Sequence, residues 1–146
     1  MANTKPSARH RVRRYLLQAL YQWQMTEEDP LRIEIEYLEE MDPKKVDIDY
    51  FHDAILGVVQ NLEKIDEEFS VYCDRTVAEL DAIERAILRL STYELLHRLD
   101  VPYRVVINEA LELAKAFGAE DSHKYVNGVL DHVAKKVRRA EVSERR

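Results

Sequence analysis

Residues 101–133, VPYRVVINEALELAKAFGAEDSHKYVNGVLDHV, contain two helical patterns separated by one glycine. The first pattern predicts a helix over residues 103–117, and Gly118 is suited to end it because glycine is favoured just beyond the last helical turn. The segment AEDS then begins a second helix. Its inward positions recur at helical spacing, and they are Tyr125, Val126, Val129, Leu130 and Val133. The stretch therefore predicts two consecutive α-helices.

The composition of the whole chain indicates the same fold class. Its 146 residues include only three glycines and four prolines, and 46% of them are hydrophobic, which is enough to form a core. No run of alternating β-branched residues predicts a strand. The sole cysteine, Cys73, excludes an intramolecular disulfide and a cysteine-based zinc site, and we expect this small side chain to be buried. The sequence therefore favours an all-α fold.

Apolar residues at helical spacing extend through the first half of the chain. They predict a helix over residues 8–25, capped by Ser7, and a second helix over residues 31–41, with Asp29 as its cap. A third, long helix is predicted over residues 47–69. The inward face of the second helix is expected to contain Leu31, Ile35 and Leu38.

The segment CDRT predicts a junction near residues 74–80. Thr76 and Glu79 have the spacing of a capping box and predict a short helical turn at this point. The junction divides a single domain into two helical subdomains, at about residues 8–73 and 76–140.

A strong helical pattern over residues 81–98 brings the predicted total to seven helices, with the short turn included. Residues 1–7 form a basic leader, and the periodicity is lost from about Arg138, so residues 140–146 are expected to fray. The chain has no apolar run of about 18 residues, and no apolar block follows the basic start as in a signal peptide. We therefore expect a cytoplasmic protein that does not enter a membrane.

Positive charge is concentrated at the start of the chain. Residues 1–26 contain five basic residues and no carboxylate, although the whole chain has 28 acidic and 22 basic residues. On a helical wheel, Arg9, Arg13 and Gln24 lie along one edge of the apolar stripe, and Arg14 and Tyr21 lie further round, so these groups form one exposed polar strip. This combination is typical of surfaces that bind single-stranded RNA, because bases stack on rings and phosphates pair with arginine. A solvated charged face without a ligand is the alternative interpretation.

Two Glu-x-x-His pairs, Glu94 with His97 and Glu120 with His123, are of the kind that ligates metals in helical bundles. The second pair spans a predicted helix start, so its side chains need not share a face, and no carboxylate interrupts the predicted apolar stripes. The sequence contains no nucleophile motif, phosphate-binding loop or dinucleotide fingerprint. We therefore expect no catalytic residue, no metal site and no cofactor, and a carboxylate–histidine metal enzyme is the weakest alternative.

The segment ALYQWQ at residues 19–24, the stretch at residues 101–133 and the arginine-rich start resemble the NusB family of bacterial transcription antitermination factors. The resemblance implies a seven-helix NusB-like fold of two small helical bundles. It also implies a protein that binds the boxA RNA of ribosomal RNA operon leaders together with ribosomal protein NusE. Such a complex acts on RNA polymerase with other Nus factors. The runner-up is a helical protein-binding adaptor without RNA.

The resemblance also implies which residues of this sequence bind the partners. Glu84 matches the surface that binds NusE, and its charge suits a basic ribosomal protein. In the alternative interpretation, Asp121 is only a helix cap, and Phe117 and Tyr125 are only core residues. The implied RNA-binding residues are Arg9, Arg11, Arg13, Arg14, Tyr21, Gln24, Arg89, Phe117, Asp121, Lys124 and Tyr125.

Overall fold

The computed structural model describes residues 4–144, and every regular element within this range is helical, which confirms the all-α prediction. The first three residues of the basic leader and the last two of the predicted tail lie outside this range. No helix in the described range is long and apolar enough to cross a membrane. The helices are α1 (Pro6–Thr26), α2 (Pro30–Glu40), α3 (Ile48–Gln60), α4 (Leu62–Ser70), α5 (Ala82–His97), α6 (Tyr103–Phe117), α7 (Ser122–Val137) and α8 (Arg139–Glu144), with a 3₁₀ turn at Val77–Glu79.

The chain divides into two compact units, Met1–Gln60 and Asn61–Arg146. The dividing point lies between α3 and α4, so the junction segment at residues 74–80 falls within the second unit. The first unit is therefore smaller than the subdomain that the sequence pattern outlines.

The predicted third helix is interrupted at a single residue. Asn61 separates α3 from α4 and occupies the N-cap position of α4, where asparagine is favoured. Its carbonyl oxygen accepts a hydrogen bond from the N–H of Ile65 at 2.9 Å. The apolar stripe continues across this break, which explains why the periodicity alone predicted one long helix.

The first unit is built from α1, α2 and α3, and each helix contacts the other two. The prediction that Ser7 caps α1 is wrong, because the helix begins at Pro6 with Lys5 as its N-cap. Proline is favoured at the first helical position, where its missing N–H costs nothing. Burial of apolar side chains stabilises the unit, and the buried set includes Val12, Leu16, Leu20, Ile33, Phe51 and Ile55.

The inward face of α2 differs from the prediction. Asp29 caps the helix as predicted, by accepting a hydrogen bond from the N–H of Leu31 at 2.9 Å. However, the side chains predicted to face inward are exposed, by 48% for Leu31, 62% for Ile35 and 40% for Leu38. Ile33 is fully buried instead.

Aromatic packing explains which face of α2 is buried. The ring of Tyr37 lies 5.9 Å from the ring of Phe51, and Ile33 precedes Tyr37 by one helical turn on the same side. Glu34 is buried next to Ile33, and its carboxylate pairs with Nδ1 of His52 at 2.7 Å. α2 therefore has two possible apolar faces. Contacts with α3 bury the face that contains Ile33, Tyr37 and the paired carboxylate of Glu34.

The second unit contains α4 to α8, and α5 and α7 form its centre because each contacts α4, α6 and the other. Asp81 caps α5 by accepting hydrogen bonds from the N–H groups of Ile83 and Glu84. Thr76 and Glu79 form the predicted capping box, with the N–H of Thr76 donating to Glu79 at 3.1 Å. The buried residues of this unit include Phe69, Ile87, Leu88, Leu90, Leu95, Val126, Leu130 and Val133.

Gly118 follows α6 as predicted, although its backbone is not left-handed. Its φ is −85°, but a Cβ at this position would lie 2.7 Å from the carbonyl oxygen of Ala114 and 2.9 Å from Cβ of Ser122. Glycine is required because the last turn of α6 and the first residue of α7 both lie too close for a side chain. The left-handed conformation falls on Asp121, with a φ of 68°, and aspartate tolerates this region better than most residues.

Residues 140–144 of the tail that the sequence predicts to fray lie in α8, next to a well-packed Arg138. Arg138 is 6% exposed, and α8 follows it. Its guanidinium group donates hydrogen bonds of 2.8 to 3.3 Å to four carbonyl oxygens at and beyond the end of α5. It also pairs with Glu141 of α8 at 2.7 Å. The four carbonyl groups belong to Glu94, Leu95, Arg98 and Val101.

Candidate nucleic-acid interface

The arginines of α1 lie on two different faces of the helix. Nε of Arg9 pairs with Asp47 at 3.1 Å, and its guanidinium group lies 4.7 Å from the centre of the buried Tyr50 ring. Arg13 lies over the same ring at 5.5 Å and is only 3% exposed. The prediction that Arg13 lies on an exposed strip is therefore wrong. Arg9 and Arg13 pack against α3 and the residue that precedes it.

The outward face of α1 carries the other two arginines. Arg11, Arg14, Gln18 and Tyr21 are exposed and recur at intervals of three or four residues, so they form one continuous surface, which we call the outer strip. Tyr21 is 38% exposed. Gln24, which was predicted to share this surface, is half-buried. The outer strip combines guanidinium groups with an amide and an aromatic ring, which is the combination that the sequence pattern predicted.

Part of the outer strip borders a cleft of about 460 Å³ within the first unit, which we call the α1 cleft. Its other side is formed by the end of α2 and the segment that leads to α3. Both signs of charge are present in its lining. The lining residues are Arg11, Arg14, Tyr15, Gln18, Glu40, Asp42, Lys45 and Val46.

Replacing Arg13 with alanine is expected to lower the free energy of unfolding by about 1 to 3 kcal/mol, because a packed stem and a desolvated cation–aromatic contact are lost. Arg14→Ala is the matched control, since it removes the same side chain from the exposed face and should change stability by less than about 0.5 kcal/mol. Urea unfolding followed by circular dichroism measures both values. Equal losses in the two variants would contradict the two-face arrangement.

Arg89 on α5 is held by an ion pair in the second unit. Its Nε and Nη2 donate to the two carboxylate oxygens of Asp66 at 2.9 Å each, and its side chain is 12% exposed. This fork-to-fork geometry is the strongest form of the Arg–carboxylate pair. Arg89 therefore contributes to the packing of α4 on α5, and its role in RNA binding stays a prediction.

The turn between α6 and α7 presents three of the predicted residues to solvent. Phe117 is 37% exposed at the end of α6. Lys124 and Asp121 form an exposed ion pair at 3.2 Å. Asp121 occupies the N-cap position of α7, as the alternative interpretation held, although its carboxylate makes no capping hydrogen bond. These side chains are accessible to a ligand.

Tyr125 is half-buried rather than part of the core, and its hydroxyl group donates to Asp74 at 3.1 Å. The guanidinium group of Arg75 lies 4.7 Å from the centre of the Tyr125 ring and pairs with Asp74. Burial, followed by contacts with Cys73, raises the pKa of Tyr125, whereas hydrogen bonds from Arg75 and Tyr125 lower the pKa of Asp74. Cys73 itself is half-buried, not buried as expected.

Sequence reasoning missed Asp74 and Arg75 as neighbours of Tyr125. The segment CDRT was interpreted only as a junction, and nothing in its spacing indicates a contact with a residue some fifty positions later. The available signal was an acidic residue, Asp74, followed directly by a basic residue, Arg75, just before the capping box. The three side chains form a fixed group of an anion, a cation and a ring at the surface of the second unit.

Glu84, the predicted NusE contact, lies inside the second unit. It is 8% exposed, and Ser122 donates a hydrogen bond to it at 2.8 Å. This contact joins the first turn of α5 to the first turn of α7. Its role in partner binding stays a prediction.

The carboxylates of the core do not form a metal centre. No group of three or more His, Cys, Asp or Glu side chains among residues 4–144 is arranged to hold a metal ion. The expectation that the core lacks carboxylates is nevertheless wrong, because four are buried. Glu94 is one of them, whereas His97 is exposed and lies against Tyr93, so the first Glu-x-x-His pair does not converge. The others are Glu34, Asp47 and Glu84.

Comparison with known proteins identifies the family. The family model described as "NusB family" matches residues 10–135. The chain belongs to the NusB family. Transcription antitermination protein NusB of Alcanivorax borkumensis is 57% identical over 97% of this chain and 94% of its own length. The NusB protein of Pectobacterium carotovorum is 51% identical over 92% of this chain and 97% of its own length.

Solved NusB structures share the fold. NusB of T. maritima has a TM-score of 0.81 and 35% identity, with coverage of 98% of this chain and 99% of that chain. A chain from the crystal structure of antitermination factors NusB and NusE in complex with double-stranded RNA has a TM-score of 0.81 and 25% identity. That match covers 90% of this chain and 98% of the other. The NusB-like fold that the resemblance implied is confirmed.

Proposed function

We propose that this chain is a non-enzymatic, cytoplasmic RNA-binding adaptor for transcription antitermination. It binds the boxA RNA of ribosomal RNA operon leaders together with ribosomal protein NusE, and the complex acts on RNA polymerase with other Nus factors. Membership of the NusB family over residues 10–135 is the observation that carries the proposal. A solved structure that contains NusB, NusE and double-stranded RNA supports NusE and RNA as partners.

The outer strip of α1 supports an RNA ligand. The chain has 28 acidic and 22 basic residues, so its overall field opposes a polyanion, and binding depends on a local concentration of cations. Arg11 and Arg14 supply these cations on an exposed face, while Gln18 and Tyr21 supply an amide and a ring. Arginine pairs with phosphate in a bidentate geometry, and exposed rings stack on unpaired bases.

The second unit supplies its own candidate contacts at the α6–α7 turn. Phe117 and Tyr125 offer aromatic surface, and Lys124 offers a cation. Asp121 pairs with Lys124 and so limits how closely a phosphate approaches that cation. We propose that this turn binds bases more than phosphates, because these residues supply two rings and only one exposed cation.

NusE is expected to raise the affinity of this chain for boxA RNA by about 5- to 150-fold, and RNA should raise the affinity for NusE by the same factor, because linkage is reciprocal. Filter binding measures the first effect and calorimetry the second. Single-stranded RNA and a duplex of the same sequence are compared in parallel, since the solved NusB–NusE complex contains double-stranded RNA. A protein-binding adaptor without RNA would show the same affinity for NusE at every RNA concentration.

A further inference from the structure

The α1 cleft has a lining that suits one nucleotide rather than a bare phosphate. Only Arg11 and Arg14 of its lining were among the residues that the family resemblance implied. The remaining polar groups are Tyr15, Gln18, Glu40, Asp42 and Lys45. The cleft lies wholly within the first unit and brings together three cations, a phenol ring, an amide and two carboxylates.

The ring of Tyr15 is fixed in place by an aromatic series. It lies 6.4 Å from the ring of Tyr37 at an interplanar angle of 81°, and Tyr37 lies 5.9 Å from Phe51, which is fully buried. A ring that is already ordered loses little entropy when a base stacks on it. Tyr15 is therefore a preorganised stacking surface at the wall of the cleft.

The cations border the cleft from two sides. Arg11 and Arg14 come from successive turns of α1, and Lys45 comes from the segment between α2 and α3. This segment is held by two hydrogen bonds of 2.9 Å, from the N–H of Lys45 to the carbonyl oxygen of Asp42 and from the N–H of Lys44 to the Asp42 carboxylate. Lys45 therefore belongs to a formed turn, and a phosphate between it and α1 would meet positive charge on both sides.

The carboxylates indicate what else the cleft binds. Glu40 and Asp42 would repel a second phosphate, but they accept hydrogen bonds from the amino groups of bases. Cytosine and adenine each present an exocyclic amino group, whereas uracil presents carbonyl oxygens at the corresponding positions. The two acidic side chains therefore favour amino-bearing bases over uracil.

We propose that the α1 cleft binds a single RNA nucleotide whose base carries an exocyclic amino group. The base stacks on Tyr15 and donates to Glu40, while its phosphate pairs with Arg11, Arg14 and Lys45. The inference rests on the proposed function, because it adds a nucleotide subsite and a base preference to an RNA-binding surface.

Fluorescence anisotropy with labelled octanucleotides of cytidine, adenosine and uridine tests the subsite. Lys45→Ala is expected to weaken binding of oligo(C) and oligo(A) by about three- to tenfold, as is typical when one such contact is lost. The matched control is Lys44→Ala, which removes the same charge from the adjacent residue, outside the cleft lining, and should change affinity by less than about twofold. Circular dichroism confirms that both variants are folded.

Glu40→Gln separates base recognition from general electrostatics. Removing one negative charge should tighten binding of all three octanucleotides equally if the cleft acts only through its net charge. If the Glu40 carboxylate accepts a hydrogen bond from the base, we expect a different result. Binding of oligo(U) should tighten, while the preference for oligo(C) and oligo(A) over oligo(U) should fall several-fold.

The possible results separate the two proposals. If Lys45→Ala and Lys44→Ala behave alike, or if Glu40→Gln leaves the base preference unchanged, the subsite is wrong while the RNA-binding adaptor stands. If the wild-type chain binds neither the octanucleotides nor boxA RNA in the presence of NusE, both proposals are overturned.

Discussion

Replacing Arg138 with alanine is expected to lower the free energy of unfolding by about 3 to 5 kcal/mol, as is usual when one partner of a buried charged network is removed. The matched control is Arg139→Ala, one residue later on the exposed surface, which should change stability by less than about 0.5 kcal/mol. Urea unfolding followed by circular dichroism provides both values. The two variants remove the same charge, so the difference between them reports the buried contacts alone.

The size of the Arg138 effect follows from what the side chain satisfies. Carbonyl groups at the end of a helix have no partner within the helix, and leaving them buried and unpaired costs free energy. Arg138 supplies donors to four carbonyl groups at 2.8 to 3.3 Å, two of which, on Glu94 and Arg98, also accept backbone N–H groups, and its charge complements the negative end of α5. Arg138→Lys should recover only part of the loss, because an ammonium group lacks the planar fork. Similar losses in the Arg138 and Arg139 alanine variants would show that charge, and not this network, determines stability.

The double variant Arg11→Ala/Arg14→Ala is expected to bind boxA RNA about 10- to 100-fold more weakly at low salt, because two charge-assisted contacts are lost. The slope of log affinity against log salt should also fall by about 1.4, since each phosphate contact contributes about 0.7 for a single strand. Filter binding over a salt series measures both quantities. The fold should be retained, because both side chains are exposed.

The control for this variant is Arg32→Ala/Arg104→Ala, which removes two exposed arginines that lie outside the outer strip and the α1 cleft. It lowers the net charge by the same amount, so any effect through the overall field is equal in the two proteins. We expect its affinity and salt slope to remain close to those of the wild type. If the control loses affinity to the same extent, RNA binding is non-specific and the outer strip has no special role.

Helix boundaries could be predicted wherever a local signal fixes them. α6 occupies the predicted residues 103–117 because proline precedes it and Gly118 follows it. Asp29 caps α2 through a short-range hydrogen bond that its position in the sequence indicates. The inward face of α2 could not be predicted, since the choice between Leu31 and Ile33 depends on rings contributed by other helices.

The candidate site could be predicted only in part, for the same reason. The wheel of α1 correctly grouped Arg14 with Tyr21, because neighbours on one helix follow from spacing alone. It could not show that Arg13 packs over Tyr50, because that contact joins α1 to α3. Lys45 enters the α1 cleft from another segment, so its proximity to Arg14 has no signal in the spacing.

Arg138 illustrates a signal that was misread. Its position in a basic tail without apolar periodicity is typical of a fraying end, and sequence patterns do not record the distant carbonyl groups at the end of α5. The buried carboxylates were missed in a similar way, since Asp47 and Glu84 obtain their partners from residues far along the chain. Polar residues can be buried when tertiary structure satisfies them, and periodicity detects only the apolar ones.

Transcription through a terminator in a purified system tests the proposed function most directly. The reaction contains RNA polymerase, NusE and the other Nus factors, and the template carries boxA upstream of a terminator. We expect added wild-type chain to raise read-through on this template, with little effect on a template whose boxA is scrambled, and we expect Arg11→Ala/Arg14→Ala to raise it much less. Equal read-through with and without the chain, or an equal increase on both templates, would contradict an antitermination adaptor that acts through boxA RNA.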